Sequence, residues 1–136
     1  MILVIDANVL FSALIKDSLT AELMFDENIK LYTCEFIIEE FFKYEKEIIK
    51  KTHRTRDQFI AIMHQLREII EFIPKEEYSH LMVEAENFSP DSKDVIYFAL
   101  AMKLNGCIWS NDKKLKNQNR VEVLNTEEIF NLIFNH

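Results

Sequence analysis

Four acidic residues are the candidates for the chemistry of this chain: Asp6, Glu40, Asp94 and Asp112. Carboxylates gathered at one place repel one another, and a divalent cation removes that repulsion. Hard oxygen donors suit Mg²⁺ or Mn²⁺. Such an ion activates water and neutralises charge on a phosphodiester oxygen, which is nuclease chemistry. Each acid also has a plain structural alternative. Asp6 is a good N-cap for the helix that follows it, and taken alone the two readings stand about even. Asp112, with Asn111, reads as an ordinary turn. Asp91 is accounted for by capping the helix it precedes. Asp94, in the first turn of that helix, is favoured by the macrodipole, yet it shares a face with Phe98 and Ala101 and is directed inward. Glu39 and Glu40 are separated by helix geometry. Glu39 lies with Lys43, Lys46 and Lys50 and pairs with Lys43 at i,i+4. Glu40 lies with Phe36, Ile37, Tyr44 and Ile48, on a side where a carboxylate is costly unless paired or metal-bound.

The elements that must position these acids follow from hydrophobic patterning. Ile2-Leu-Val-Ile5 is an unbroken β-branched run, expected as a central strand buried on both faces and ending at Asp6. Helices are expected over 7–15 and 20–25, a strand over 29–33, a long helix over 36–51 and another over 55–68. A strand over 69–73 stops at Pro74. A helix over 76–87 ends at Ser89-Pro90, and a buried helix over 92–104 is closed by Asn105-Gly106, with Gly106 as its C′ residue. Strands over 107–110 and 121–124 and a helix over 126–134, with Thr126 as N-cap, complete the chain. Five strands alternating with helices predict an α/β fold with a mostly parallel sheet. Asp6 and Asp112 would then lie at one carboxyl edge of the sheet, where open α/β sheets place ligands.

The chain of 136 residues, 49% hydrophobic with eleven Phe, is expected to form one domain spanning 1–136. One Gly and two Pro leave little room for long flexible linkers. The four-residue apolar start has no basic flank and is no secretory signal; no window suits a membrane span. A cytoplasmic location is the expectation. Cys34 and Cys107 read as small buried residues in a reducing compartment. The net charge of −7 argues against backbone-driven nucleic-acid binding by the whole surface. Two basic segments run against it: Lys43 to Asp57, with six basic residues against three acidic, and Lys113, Lys114, Lys116 and Arg120, with no acid among them. Each is near a candidate carboxylate, and Lys113, Lys114 and Lys116 are the candidate phosphate contacts. A P-loop is excluded for want of a Gly-rich segment. His53, His64, His80 and His136 lack zinc-type spacing with Cys, and no Ser sits in a recognisable elbow.

Read together, four segments resemble the PIN-domain family of metal-dependent ribonucleases. They are Val4-Ile-Asp6-Ala-Asn8-Val-Leu, Phe36-Ile-Ile-Glu-Glu40-Phe, Ser89-Pro-Asp91-Ser-Lys-Asp94-Val-Ile-Tyr-Phe-Ala-Leu-Ala101 and Ile108-Trp-Ser110-Asn-Asp112-Lys-Lys-Leu115. The resemblance covers essentially the whole chain. It implies a three-layer α/β/α sandwich with a five-stranded parallel sheet, and Mg²⁺ or Mn²⁺ held by Asp6, Glu40, Asp94 and Asp112. It gives Asn8 and Ser110 supporting hydrogen-bond roles; Ser110 stands where Thr is frequent and keeps the hydroxyl. Many members are the toxin halves of VapBC-type toxin–antitoxin pairs, so an RNA substrate, a homodimer and an antitoxin partner are implied. Two other readings compete. One is a non-catalytic RNA- or protein-binding module on the same scaffold, which the complete acidic set disfavours. The other is an aspartyl-phosphate enzyme or receiver domain. A haloacid-dehalogenase-type site wants Asp where this chain has Asn8, and a receiver wants Asp where it has Ile73-Pro74.

Overall fold

The computed structural model describes residues 1–15 and 18–135, so His136 lies outside the described residues. Its centre is a five-stranded, all-parallel sheet in the order β3-β2-β1-β4-β5. The strands are β1 (Ile2–Ile5), β2 (Lys30–Cys34), β3 (Ile70–Ile73), β4 (Cys107–Trp109) and β5 (Val123–Leu124). β1 lies in the middle, paired with β2 through Leu3–Leu31 and with β4 through Val4–Ile108. Leu3, Val4 and Ile5 have no exposed surface, as expected for a strand covered on both faces. The chain winds from β1 outward to β3, then returns to the other side of β1 for β4 and β5. The strand order therefore reverses between β1 and β4.

The helices are α1 (Ala7–Ile15), α2 (Ser18–Met24), α3 (Ile37–Lys43), α4 (Glu45–Thr52), α5 (Arg56–Ile69), α6 (Met82–Glu86), α7 (Val95–Leu104) and α8 (Thr126–Phe134). No helix among the described residues is long and apolar enough to cross a membrane. α7 is apolar nearly all round, and six of its ten residues, Val95 and Tyr97 to Ala101, are buried. It is the core helix of the fold.

Several local expectations are corrected. The helix expected over 36–51 is two helices, because Tyr44 leaves helical geometry (φ −100°, ψ 16°). The chain turns there, and Phe41 before the turn and Ile48 after it are both buried. The helix expected over 76–87 reduces to two 3₁₀ turns followed by α6. Tyr78 separates the turns, its side chain buried against Cys34. The segment 92–104 opens as a 3₁₀ turn, Ser92–Asp94, before α7 begins. The last strand is only Val123–Leu124. Asn125, not Thr126, caps α8, in a capping box with Glu128; the Thr126 hydroxyl instead accepts from the indole of buried Trp109 at 3.0 Å.

Asn105, not Gly106, takes the left-handed conformation that closes α7 (φ 53°). Gly106 is required for a different reason. A Cβ there would meet Ile2 Cγ2 at 2.7 Å and the Ile2 carbonyl oxygen at 3.0 Å, so only a hydrogen lets β4 enter the sheet beside β1. Cys34 is buried as expected, whereas Cys107 is only half-buried; both are free thiols.

Candidate active site

Asp6 follows the central strand directly and is 4% exposed. Both of its oxygens are held. Oδ1 accepts the Val9 N–H at 2.9 Å, which caps α1. Oδ2 accepts the Ser110 hydroxyl at 2.6 Å, across the gap between β1 and β4. The cap and the site are thus the same geometry: capping α1 fixes the carboxylate at the point where strand order reverses. Burial pushes the Asp6 carboxyl up; the Ser110 and Val9 hydrogen bonds pull against that, and the charge of Asp112 adds to it.

Ser110, 1% exposed, joins two motifs that lie over a hundred residues apart in sequence. Its Oγ also accepts the Asp112 N–H at 3.1 Å. Each residue of Ser110-Asn111-Asp112 has its own task. Asn111 Oδ1 accepts from the Thr126 N–H at 2.9 Å and anchors the start of α8. Asp112 is exposed and caps the turn that follows, accepting the Lys114 N–H at 3.0 Å. The ordinary turn read from sequence is real, and it sets Asp112 near enough to Asp6 for their charges to act on each other.

Asp94 stands at the N-terminus of α7, half-buried, and its side chain makes no capping bond. Asp91 caps the 3₁₀ turn that precedes α7, accepting the Lys93 N–H at 2.9 Å. Burial, then the charges of Asp6, Asp91 and Asp112, push the Asp94 carboxyl up to about 6, and Lys93 partly offsets them. Three aspartates from three separate segments therefore share one field at the β1/β4 edge.

Glu40 is half-buried and Glu39 exposed, in keeping with the helical-face argument. Glu40 lines a cleft of about 250 Å³ with Ala7, Asn8, Phe11, Phe41, Tyr44 and Glu47. Glu39 opens on the other side of α3, toward Pro74 and Lys75. No Glu39–Lys43 ion pair forms among the described residues; the Lys43 ammonium lies 5.7 Å from the Tyr44 ring centroid. The Asn8 side chain is exposed at the cleft, and its backbone N–H supports Asp6.

The basic segments divide into free and engaged cations. Lys116 pairs with Glu128 and Arg120 with Glu84. Lys113 and Lys114 are exposed and ion-pair with no described residue. Arg54 donates to the Leu14 carbonyl at 2.7 Å, satisfying the last turn of α1. Two contributors were missed from sequence. Tyr97, 5% exposed, accepts the Ala7 N–H on its hydroxyl at 3.2 Å. Burial pushes its phenol up, with Cys34, Asp6 and Asp94 adding to the shift. Lys93 acts on Asp94. Tyr97 was findable, since it lies at i+3 from Asp94 on the same helix. Cys34, buried behind the site, has its thiol pushed up to about 12 by burial and is inert as a nucleophile.

A family model described as a PIN domain matches residues 4–131. The chain belongs to the PIN-domain family. Its fold is also that of a chain in the crystal structure of VapBC2 from Rickettsia felis bound to a DNA fragment from their promoter. That likeness has a TM-score of 0.64 at 17% identity and covers 92% of this chain and 98% of the other. No curated protein sequence matches the chain. The PIN-domain match spans β1 through most of α8, so the acidic residues of all four segments fall inside it.

No three His, Cys, Asp or Glu side chains among the described residues stand close enough to hold one ion as arranged. The donors nevertheless suit Mg²⁺, which keeps several waters and takes only one or two carboxylates. Asp6 is fixed and Asp94 makes no capping bond, and their charges oppose each other.

Proposed function

We propose that this PIN-domain protein is a divalent-metal-dependent endoribonuclease that hydrolyses phosphodiester bonds of single-stranded RNA. The observation that carries the reading is Asp6, buried and hydrogen-bonded by Ser110 at the reversal of strand order, with the charges of Asp94 and Asp112 close enough to act on it. Charge crowded in this way opposes folding unless something positive sits there. In this reading Asp6, Glu40, Asp94 and Asp112 are the acidic set that would hold the ion, directly or through its waters. A bound Mg²⁺ or Mn²⁺ supplies water activation and neutralises charge on the phosphodiester.

The chain's own residues do the positioning. Ser110 and the Val9 N–H lock the rotamer of Asp6. Tyr97 takes the Ala7 N–H and so holds the backbone that follows Asp6. Lys93 places positive charge beside Asp94, and Lys113 and Lys114, free of ion pairs, are available to phosphate. The likeness in fold to a chain of VapBC2 supports a toxin role with an antitoxin partner, and a homodimer is the assembly we propose for it.

The test is cleavage of labelled single-stranded RNA with Mg²⁺ or Mn²⁺, with and without chelator, beside Asp6→Asn. Divalent-dependent cleavage that Asp6→Asn abolishes is the expected result. RNA binding without cleavage by the native protein would turn the reading into that of a non-catalytic binding module.

A further inference from the structure

The cleft beside Asp6 has no part in holding the acids, apart from Glu40 at its edge. Ala7 and Asn8, the two residues after Asp6, form one wall, so the cleft begins where the candidate site ends. Its floor is aromatic: Phe11 and Phe41 stack with centroids 6.0 Å apart and planes 22° from parallel. Tyr44 stands at its rim, 42% exposed, at the turn between α3 and α4. A cation borders the rim: the Lys43 ammonium lies over the Tyr44 ring, whereas Lys51 is already held by the lining Glu47 at 2.9 Å.

We propose that this cleft receives an unpaired nucleobase of the RNA strand, next to the bond cut at the carboxylates, with the base stacked on Tyr44. The inference rests on the nuclease reading for the identity of the strand. An aromatic ring with a cation beside it is how single strands are held without sequence readout: rings take the bases and cations follow the phosphates. The chain's net charge of −7 makes this local arrangement necessary, because the surface as a whole repels RNA. The exposed Asn8 amide is the polar group that a base edge meets inside the cleft.

The test measures binding apart from cleavage. A labelled single-stranded oligoribonucleotide is titrated with protein by fluorescence anisotropy in Ca²⁺, a hard cation that neutralises carboxylates without the octahedral demand of Mg²⁺. Tyr44→Ala should weaken binding by about 5- to 150-fold, the range for losing one stacked base, and Tyr44→Phe should stay within about twofold of native. An abasic site moved along the oligonucleotide should weaken native binding at one position. At that position Tyr44→Ala should add little further loss. Native-like binding by Tyr44→Ala, or losses that add in full at every abasic position, would overturn the proposal, as would native protein that binds no RNA. Tyr44-dependent binding without Mn²⁺-dependent cleavage would support the cleft and refute the nuclease. Cleavage with Tyr44-independent binding would do the reverse.

Discussion

Asp94→Asn should stabilise the metal-free protein at neutral pH, although it alters a residue placed at the centre of the site. The Asp94 carboxyl is pushed from the ordinary 3.8 to about 6, first by burial and then by Asp6, Asp91 and Asp112. At about 1.4 kcal/mol per pKa unit the nominal effect is about 3 kcal/mol. Asp94 is only half-buried, so solvent screens much of it, and the α7 N-terminus favours the charge; about 1 kcal/mol remains. Unfolding entropy of about 2.1 cal/mol/K per residue converts that to a rise of about 3–4 °C in Tm for a chain of this size. The pH dependence has a definite sign. The folded form holds this proton more tightly than the unfolded form, so the destabilisation is full above pH about 6 and absent below about 3.8. The Tm advantage of Asp94→Asn should therefore shrink steadily between those limits as pH falls. Mn²⁺, binding only the folded form, should raise the native Tm more than that of the variant. Melting curves across this pH range, with and without Mn²⁺, read all three effects. A lower Tm for metal-free Asp94→Asn at pH 7.5, or an advantage that ignores pH, would refute the crowding of charge from which the site is argued.

Glu40→Gln should abolish divalent-dependent cleavage while Glu39→Gln leaves most of it, because the two open on opposite sides of α3; equal losses in two folded variants would contradict the face argument. Lys113→Gln with Lys114→Gln should weaken RNA binding and flatten its salt dependence, by about 0.7 in slope for each phosphate no longer neutralised. Lys116→Gln should change the slope little, since Glu128 already holds that ammonium, and a salt titration of the two variants beside the native protein separates them. Gly106→Ala should destabilise the fold by about 1–3 kcal/mol in a denaturant melt, because the new methyl overlaps Ile2 across the β1–β4 junction; a native-like midpoint would show that the two strands can part at little cost.

The architecture was legible because the patterns behind it are local. An unbroken apolar run announces a strand buried on both faces, and one ending in Asp places a carboxylate at the strand's end. The alternation of strands and helices, with no hairpin turn between strands, implies parallel pairing. The local errors fall where tertiary packing overrides periodicity. Tyr44 breaks an apolar stripe that reads as one helix, and Tyr78 divides a helical pattern by burying its ring against Cys34. Trp109 claims the Thr126 hydroxyl, which leaves the cap of α8 to Asn125.

The sequence by itself determined the parts: an α/β fold with a mostly parallel sheet, the order of its strands along the chain, and which acids lie at strand ends and helix starts. Those follow from periodicity and chain direction, which act over a few residues. Only the tertiary structure decided how the parts meet. The reversal of strand order between β1 and β4 brings Ser110 onto Asp6 and sets the charges of Asp94 and Asp112 against it. It also leaves Lys113 and Lys114 free while Lys116 and Arg120 are paired, and it places Tyr97 beneath Ala7. Hydrogen bonds and charge coupling depend on distance in space, and residues 104 apart in sequence, as Asp6 and Ser110 are, carry no local sign of their contact.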